Sequence, residues 1–138
     1  MMQYKDLKKI SGVIYTINRI SIMQIINVRG IHLRGHHGCL PEEAKIGGDF
    51  VVNVQLKGDF SVAGKSDKLS DAADYVKVYE VVKLEMKIRS NLIEHVAERI
   101  ADHLKKVFPD IDNLMVEVIK KKPPMNGNVY EVGVVVER

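Results

Sequence analysis

The chain has 138 residues, of which 46% are hydrophobic and 28% are charged, the composition of one soluble globular domain. No apolar run approaches the roughly 18 residues that a membrane-spanning helix needs, so we expect no membrane partner. The one cysteine, Cys39, offers neither an internal disulfide nor a metal-binding cysteine pair, which favours a reducing, cytoplasmic setting.

The formal net charge of +3 is confined to the first 22 residues. They carry one acidic side chain, Asp6, against four basic ones: Lys5, Lys8, Lys9 and Arg19. The other 17 basic and 17 acidic side chains balance, so residues 23–138 are formally neutral. A neutral domain is a poor general binder of phosphates, because that affinity comes from counterion release, and we expect no nucleic-acid partner.

Residues 1–22 also differ in pattern from the rest and are predicted to be an N-terminal extension. Their apolar residues recur at near-helical spacing: Leu7, Ile10, Ile14 and Ile17. A targeting segment and a start codon assigned too far upstream, before Met23, both fit this composition. Residues 23–138 are predicted to form a single domain that carries the functional residues.

The domain begins with two predicted strands. Residues 25–33 are predicted to form a strand with a bulge at Gly30, and residues 52–56 alternate between apolar and polar in the second. Between the strands, residues 35–48 are rich in glycine and predict turns. Residues 58–74 are polar and predict a long loop.

Two amphipathic helices and two further strands follow. Apolar residues recur at helical spacing after Asp74 and again from Leu92 until Pro109. The runs 114–119 and 129–136 alternate like half-buried strands. The order β-β-α-α-β-β predicts an α+β fold, an antiparallel four-stranded sheet with two helices on one face. Open sheet edges need a partner, so we expect an oligomer.

The polar clusters of the first half admit more than one interpretation. His32, His36 and His37 lack a convincing fourth ligand, so we expect no bound metal. Glu42 and Glu43 fit a solvated acidic loop.

The helix starts and the lysine run are equally ambiguous. Asp74 fits an N-cap and Tyr75 an aromatic anchor. Asn91 and Glu94 fit a capping box, while Glu94 also fits a pocket carboxylate that accepts two N–H donors from an aminopyrimidine ring. Strand alternation places Lys120 on the side that the helices would cover; a desolvated lysine suits acid–base chemistry, whereas three solvated lysines are the simpler interpretation.

Four linked motifs, in this order, resemble the dihydroneopterin aldolases from residue 25 to the end of the chain. They are G-H-H-G-C-L-P-E-E at 35–43, A-G-K-S-D with D-x-x-x-Y at 63–75, N-L-I-E-H-V-A-E-R-I-A at 91–101, and K-K-K-P-P-M-N-G with V-G-V at 120–134. Linked motifs at the right spacing are far more specific than any single one.

The resemblance implies the tunnelling fold, whose subunits join their strands into a tetrameric barrel, commonly doubled into an octamer, with active sites between subunits. It implies a lyase of folate biosynthesis that cleaves 7,8-dihydroneopterin by a retro-aldol reaction into 6-hydroxymethyl-7,8-dihydropterin and glycolaldehyde, with epimerase side activity at C2′. No cofactor or metal is implied, because the N5-protonated dihydropterin ring itself accepts the electrons of the broken bond.

The resemblance also assigns roles to residues. Glu94 would anchor the 2-amino and N3 groups of the pterin, and the backbone at Ala73 and Ile93 would contact other ring atoms. Tyr75, from a neighbouring subunit, would lie beside the pterin and exchange a proton with its side chain.

The implied catalytic residues are Lys120, Glu43 and Tyr75. Lys120 would deliver a proton to N5, and Glu43 would hold Lys120 and water in register.

Arg34, His36 and the loop 125–128 depart from the family pattern, which leaves the packing of the first turn and the contacts of that loop open. Three alternatives remain at this point. They are an epimerase of dihydroneopterin or its triphosphate, a zinc-dependent pterin synthase of the same fold, and a non-catalytic oligomer that binds a pterin or purine.

Overall fold

The computed structural model describes residues 7–10, 13–16 and 23–138 of the chain. In its N-terminal part, strand β1 (Leu7–Ile10) pairs antiparallel with strand β2 (Val13–Thr16). The near-helical spacing of the apolar residues in this segment therefore does not correspond to a helix in the part that is described, since its β-branched residues favour strands. Ile17, the last residue of that pattern, lies outside the described residues.

The main sheet has four antiparallel strands in sequence order, as predicted. These strands are β3 (Gln24–Gly35), β4 (Gly48–Gly58), β5 (Asn113–Lys121) and β6 (Glu131–Glu137). Because β3 and β6 each pair on one side only, both outer edges of the sheet are open within the described chain. The open edges that motivated the expectation of an oligomer are therefore present.

The predicted bulge at Gly30 is confirmed. The pairing of β3 with β4 shifts register between Val28 and Ile31, and Gly30 has a φ of 74°. Its amide donates a hydrogen bond of 2.7 Å to the Asn53 side chain on the neighbouring strand. Glycine suits this position because other residues rarely adopt a positive φ.

Two short helices lie in segments that were predicted as turns and loop. Helix α1 (Pro41–Ile46) follows the first turn, and α2 (Ser61–Ser66), with a 3₁₀ turn at Leu69–Asp71, interrupts the predicted long loop. A helix of six residues spans less than two turns, so it leaves no apolar periodicity in the sequence.

The two long helices cover one face of the sheet, as predicted. They are α3 (Tyr75–Met86) and α4 (Ile93–Val107), which ends directly before Phe108-Pro109. The core between helices and sheet is made of their inward apolar residues, chiefly Val52, Val54, Leu56, Val78, Val82, Val96, Ile100, Leu104, Leu114, Val116 and Val118. Among the described residues, no helix is both long and apolar enough to cross a membrane.

Candidate active site

Strand β5 runs from the core to the edge of a cavity, and Lys120 lies near its end. Val116 and Val118 are buried beneath the helices, and Lys120 is the next residue on the same face. Its side chain is only 16% exposed, and its Nζ lies 5.9 Å from the centre of the Phe50 ring. The expected partial desolvation of Lys120 is therefore confirmed.

Helix α1 supplies the partner of that lysine. Glu43 Oε1 forms an ion pair with Lys120 Nζ, and Glu43 Oε2 accepts a hydrogen bond of 3.1 Å from Leu40 N. The Glu43 side chain is 14% exposed, whereas Glu42 beside it faces solvent. The interpretation of this segment as a solvated acidic loop was wrong for Glu43, because the helical turn directs its carboxylate inward.

The Lys120–Glu43 pair is charged in its resting form. Burial by itself would raise the pKa of Glu43, but hydrogen bonds from Lys120 and Leu40 and the positive charges of Lys120 and Arg89 outweigh it. The net effect lowers the pKa of Glu43 below its ordinary value. A carboxylate that stays ionised beside an ammonium group holds that group in a fixed position through a charge-assisted hydrogen bond.

Gly38 makes room for the Glu43 carboxylate. Its φ is 144°, and a Cβ on this residue would overlap both carboxylate oxygens and the carboxyl carbon of Glu43. Glycine is therefore required at this turn both by its backbone conformation and by the close approach of the side chain.

The start of α4 supplies the next two predicted site residues, Ile93 and Glu94. The N-cap of α4 is Leu92, with no side-chain hydrogen bond, so the capping box predicted from Asn91 and Glu94 was wrong. The helix begins one residue later than predicted, which places Glu94 in the first turn with its side chain exposed. The interpretation of Glu94 as a carboxylate that anchors a pterin stays a prediction.

A cavity of about 380 Å³ joins these residues. Its lining includes four of the predicted site residues, Glu43, Ile93, Glu94 and Lys120. Apolar side chains and prolines complete it, among them Leu40, Leu92, Pro123, Pro124 and Val132. An apolar cleft of this size with a few convergent charged groups is typical of a small-molecule site.

A second cavity, of about 200 Å³, adjoins the first at the ion pair. The two cavities share Glu43, Lys120 and Pro124, and the second is also lined by His37 and Phe50. The ion pair therefore lies where the two cavities adjoin.

His37 lines the second cavity and packs against Phe50, whose ring lies near Lys120. It is 1% exposed, its ring packs edge-on to Phe50 at 5.1 Å, and its Nδ1 accepts a hydrogen bond of 3.1 Å from Ser90 N. Burial and the positive charge of Arg99 lower the pKa of His37 to about 4, although the nearby Met86 backbone raises it a little. The imidazole is therefore neutral near pH 7.

His32 at the end of β3 and the two histidines of the first turn have different surroundings. His32 lies 3.9 Å from Asp49, and His36 Nδ1 lies 3.0 Å from the Ala44 carbonyl, while His37 is buried. In the part of the chain that the structure describes, no group of three His, Cys, Asp or Glu side chains is placed to hold a metal ion.

Two predicted site residues, Ala73 and Tyr75, lie elsewhere. Tyr75 opens α3 and is 65% exposed, and the predicted N-cap before it is confirmed, because the Asp74 side chain accepts a hydrogen bond of 2.9 Å from Val76 N. Ala73 lines a third cavity together with residues 107–111, which follow the end of α4. Helices of 12 and 15 residues are about 18 and 22 Å long, so this end of the helical layer is far from Glu94.

The fold and the cavity agree with comparisons to known proteins. The family described as dihydroneopterin aldolase matches residues 26–137. The chain belongs to the dihydroneopterin aldolase family. Dihydroneopterin aldolase of Staphylococcus epidermidis is 41% identical over 115 residues, which cover 83% of this chain and 95% of that protein. The enzyme of Streptococcus pyogenes serotype M18 is 34% identical over 117 residues, which cover 84% of this chain and 98% of that protein.

The fold of the chain is also similar to that of a solved dihydroneopterin aldolase. Escherichia coli dihydroneopterin aldolase in complex with neopterin superposes with a TM-score of 0.76 at 25% identity, covering 83% of this chain and 98% of that one. The family resemblance, the α+β fold and the enzyme class predicted from the sequence are thereby confirmed.

The sequence patterns missed two residues near the cavity, Arg89 and Ser90. Both lie in the short connection between α3 and α4, where no periodicity or motif marks them. Ser90 is buried and contacts His37, and Arg89 donates hydrogen bonds to the turn before α1. Their contacts reach residues more than 50 positions away, so only the folded structure reveals them.

Proposed function

We propose that this chain cleaves 7,8-dihydroneopterin into 6-hydroxymethyl-7,8-dihydropterin and glycolaldehyde, with Lys120, Glu43 and Tyr75 as catalytic residues. The observation that carries the proposal is the ion pair of Lys120 with Glu43 at one end of the cavity that also contains Ile93 and Glu94. Family membership supplies the reaction class, and the cavity supplies a place for the substrate.

Glu94 anchors the pterin in this proposal. The 2-amino and N3 groups of the ring present two adjacent N–H donors, which match the two oxygens of one carboxylate. The backbone at Ile93 contacts neighbouring polar atoms of the ring. The related Escherichia coli enzyme was solved with neopterin, which supports a pterin ligand of this size and polarity.

Lys120 and Glu43 act at the opposite end of the ring. The ammonium group of Lys120 donates a proton to N5, and Glu43 keeps Lys120 protonated and oriented. Loss of the proton from the 2′-hydroxyl turns C2′–O into a carbonyl and breaks the C1′–C2′ bond. The electron pair of that bond moves into the protonated C6=N5 unit, which gives an enamine. C1′ then takes up the proton that left the 2′-hydroxyl, relayed by Tyr75 and water, and the N5 proton returns to Lys120, which gives the product.

Tyr75 and Ala73 reach the substrate from a neighbouring subunit. They lie at the far end of the helical layer, so one chain cannot place them beside its own Glu94. Contact of this end with the cavity of the next copy is a head-to-tail interface, which closes into a ring. Pairing of the open edges of β3 and β6 between copies joins the sheets into a barrel, a tetramer or an octamer.

The enamine can recapture glycolaldehyde on its other face, so we include C2′ epimerisation as a side activity of the same site. We also assign the reaction to the cytoplasm. Cys39 is a free, exposed thiol in the lining of the cavity, and a reducing compartment keeps such a thiol intact.

The test is release of glycolaldehyde from purified protein and 7,8-dihydroneopterin, with Lys120→Ala as the disabled variant. We expect the variant to lower kcat by about 10²–10⁴-fold, the range typical of a lost acid–base group. Lys121→Ala is the matched control, because Lys121 contacts Tyr130 and Glu131 instead of the cavity with Glu94. Equal rates for Lys120→Ala and wild type would refute the assigned role, and no release by wild type would refute the function.

A further inference from the structure

The connection between α3 and α4 is tied to the turn that precedes α1 through one guanidinium group. Arg89 Nε donates a hydrogen bond of 3.0 Å to the His36 carbonyl, and Arg89 Nη2 donates one of 2.6 Å to the Gly38 carbonyl. Arg89 Nη1 donates a third, of 3.1 Å, to Asn91 Oδ1. All three acceptors are neutral oxygens, so none of them neutralises the positive charge of the arginine.

Backbone contacts run alongside this arginine. Gly38 N donates to the Ser90 carbonyl at 3.1 Å, and Ser90 N donates to His37 Nδ1 at 3.1 Å. Together with the three bonds of Arg89, they form a continuous seam between residues 36–39 and residues 89–91.

Three residues of the seam, Gly38, Cys39 and Asn91, line the same cavity as Glu43 and Glu94. Glu43 follows the turn at 36–39 by four residues, and Glu94 follows the connection at 89–91 by three. Neither segment belongs to the sheet, and residues 36–39 and 89–91 meet through the seam. The seam therefore links the segment that leads to Glu43 with the segment that leads to Glu94.

We propose that Arg89 is a positioning residue of the aldolase reaction, whose guanidinium fork sets Glu43 and Lys120 at the distance from Glu94 that the pterin requires. This inference rests on the proposed function of the cavity. It goes beyond it by assigning a role to a residue that touches neither the substrate nor the reacting atoms. The charge of Arg89 has a second effect, since it helps to lower the pKa of Glu43.

The inference distinguishes the fork of Arg89 from its charge. Arg89→Met keeps an unbranched apolar stem but loses both, and Arg89→Lys keeps the charge but cannot bridge two carbonyl groups with one planar group. We expect Arg89→Met to lower kcat about tenfold with KM changed by less than about threefold, because the reacting groups are misplaced while Glu94 still binds. Arg89→Lys should give an intermediate kcat.

The acid limb of the kcat–pH profile supplies a readout that a merely structural role would not move. Removal of a nearby cation raises the pKa of Glu43, so Arg89→Met should lose activity at a higher pH than wild type. Arg89→Lys should lose activity at the same pH as wild type, because the positive charge remains.

The experiment measures glycolaldehyde release across the acid limb for wild type, both Arg89 variants and Lys87→Met, an exposed control from the same connection. Thermal unfolding and the fraction of protein that binds neopterin correct each rate for folded protein. A corrected Arg89→Met rate equal to wild type, or a reduced rate with an unshifted acid limb, overturns the inference. Absence of release by wild type and Lys87→Met is a different result, which overturns the proposed function and the inference with it.

Discussion

The two ends of the helical layer differ in what one chain can assemble. At the pocket end, defined by Glu43, Ile93, Glu94 and Lys120, charged groups from three separate segments converge on one cavity. At the far end, Tyr75 is exposed and does not line the cavity that contains Lys120 and Glu94. Under the proposed function, each chain would therefore supply two complementary parts of a site to two different copies.

The two ends are also held in different ways. Long-range contacts fix the pocket end, where Arg89 and Ser90 reach turn residues more than 50 positions away in the sequence. A local bond fixes the far end, where Asp74 caps the helix that begins with Tyr75. Substitutions remote from the substrate should therefore disturb the pocket end more than the far end.

The largest expected effect is on binding at the pocket end. Glu94→Gln replaces one acceptor oxygen by an N–H donor that faces a donor of the ring. We expect the Kd for neopterin to rise about 100-fold, the effect of about 2.7 kcal/mol. Fluorescence titration measures it, with Glu80→Gln on the exposed face of α3 as control. An unchanged Kd would mean that the pterin is anchored elsewhere.

A smaller effect is expected from the turn that accommodates Glu43. Gly38→Ala places a methyl group where the carboxylate lies, so Glu43 must move away from Lys120. We expect kcat to fall by about 30-fold, as for a reacting group displaced by somewhat less than 1 Å.

Gly64→Ala is the control for that substitution. It lies in helix α2, and a Cβ there would meet nothing within 4 Å. Steady-state assays of both variants measure the effect, and similar rates for the two would show that Glu43 need not occupy its observed position.

The smallest expected effect concerns the helix start at the far end. Asp74→Ala removes the cap of α3 and should lower the free energy of unfolding by about 1 kcal/mol. Asn91→Ala should cost no more than about half of that, because Asn91 does not cap α4 and its side chain loses only an exposed hydrogen bond from Arg89. Chemical unfolding at one fixed protein concentration compares them, and a larger cost for Asn91→Ala would contradict the observed helix starts.

Periodicity sufficed to predict the long elements but not the short ones. Apolar residues such as Val54 and Ile100 repeat at strand and helix spacing, so the sheet, both long helices and their shared core could be predicted. Helix α1 was missed because six residues make too little periodic pattern, and the start of α4 was misplaced by one residue.

The candidate site was predictable in part. Strand alternation alone singled out Lys120, whereas Glu43 became a candidate only through the family motif, because its inward direction depends on α1. Neither strand or helix periodicity nor the family motifs singled out Arg89, since its role depends on contacts with residues 36 and 38. Contacts of this kind are set by tertiary packing, which local patterns do not encode.

The central claim is that one site is built from the pocket end of one copy and the far end of the next. It is tested most directly by mixing Lys120→Ala with Tyr75→Phe after joint unfolding and reassembly. If each site takes Lys120 from one copy and Tyr75 from its neighbour, a random equal mixture should recover about a quarter of wild-type glycolaldehyde release. Release no greater than the mean of the two variants alone would contradict the claim.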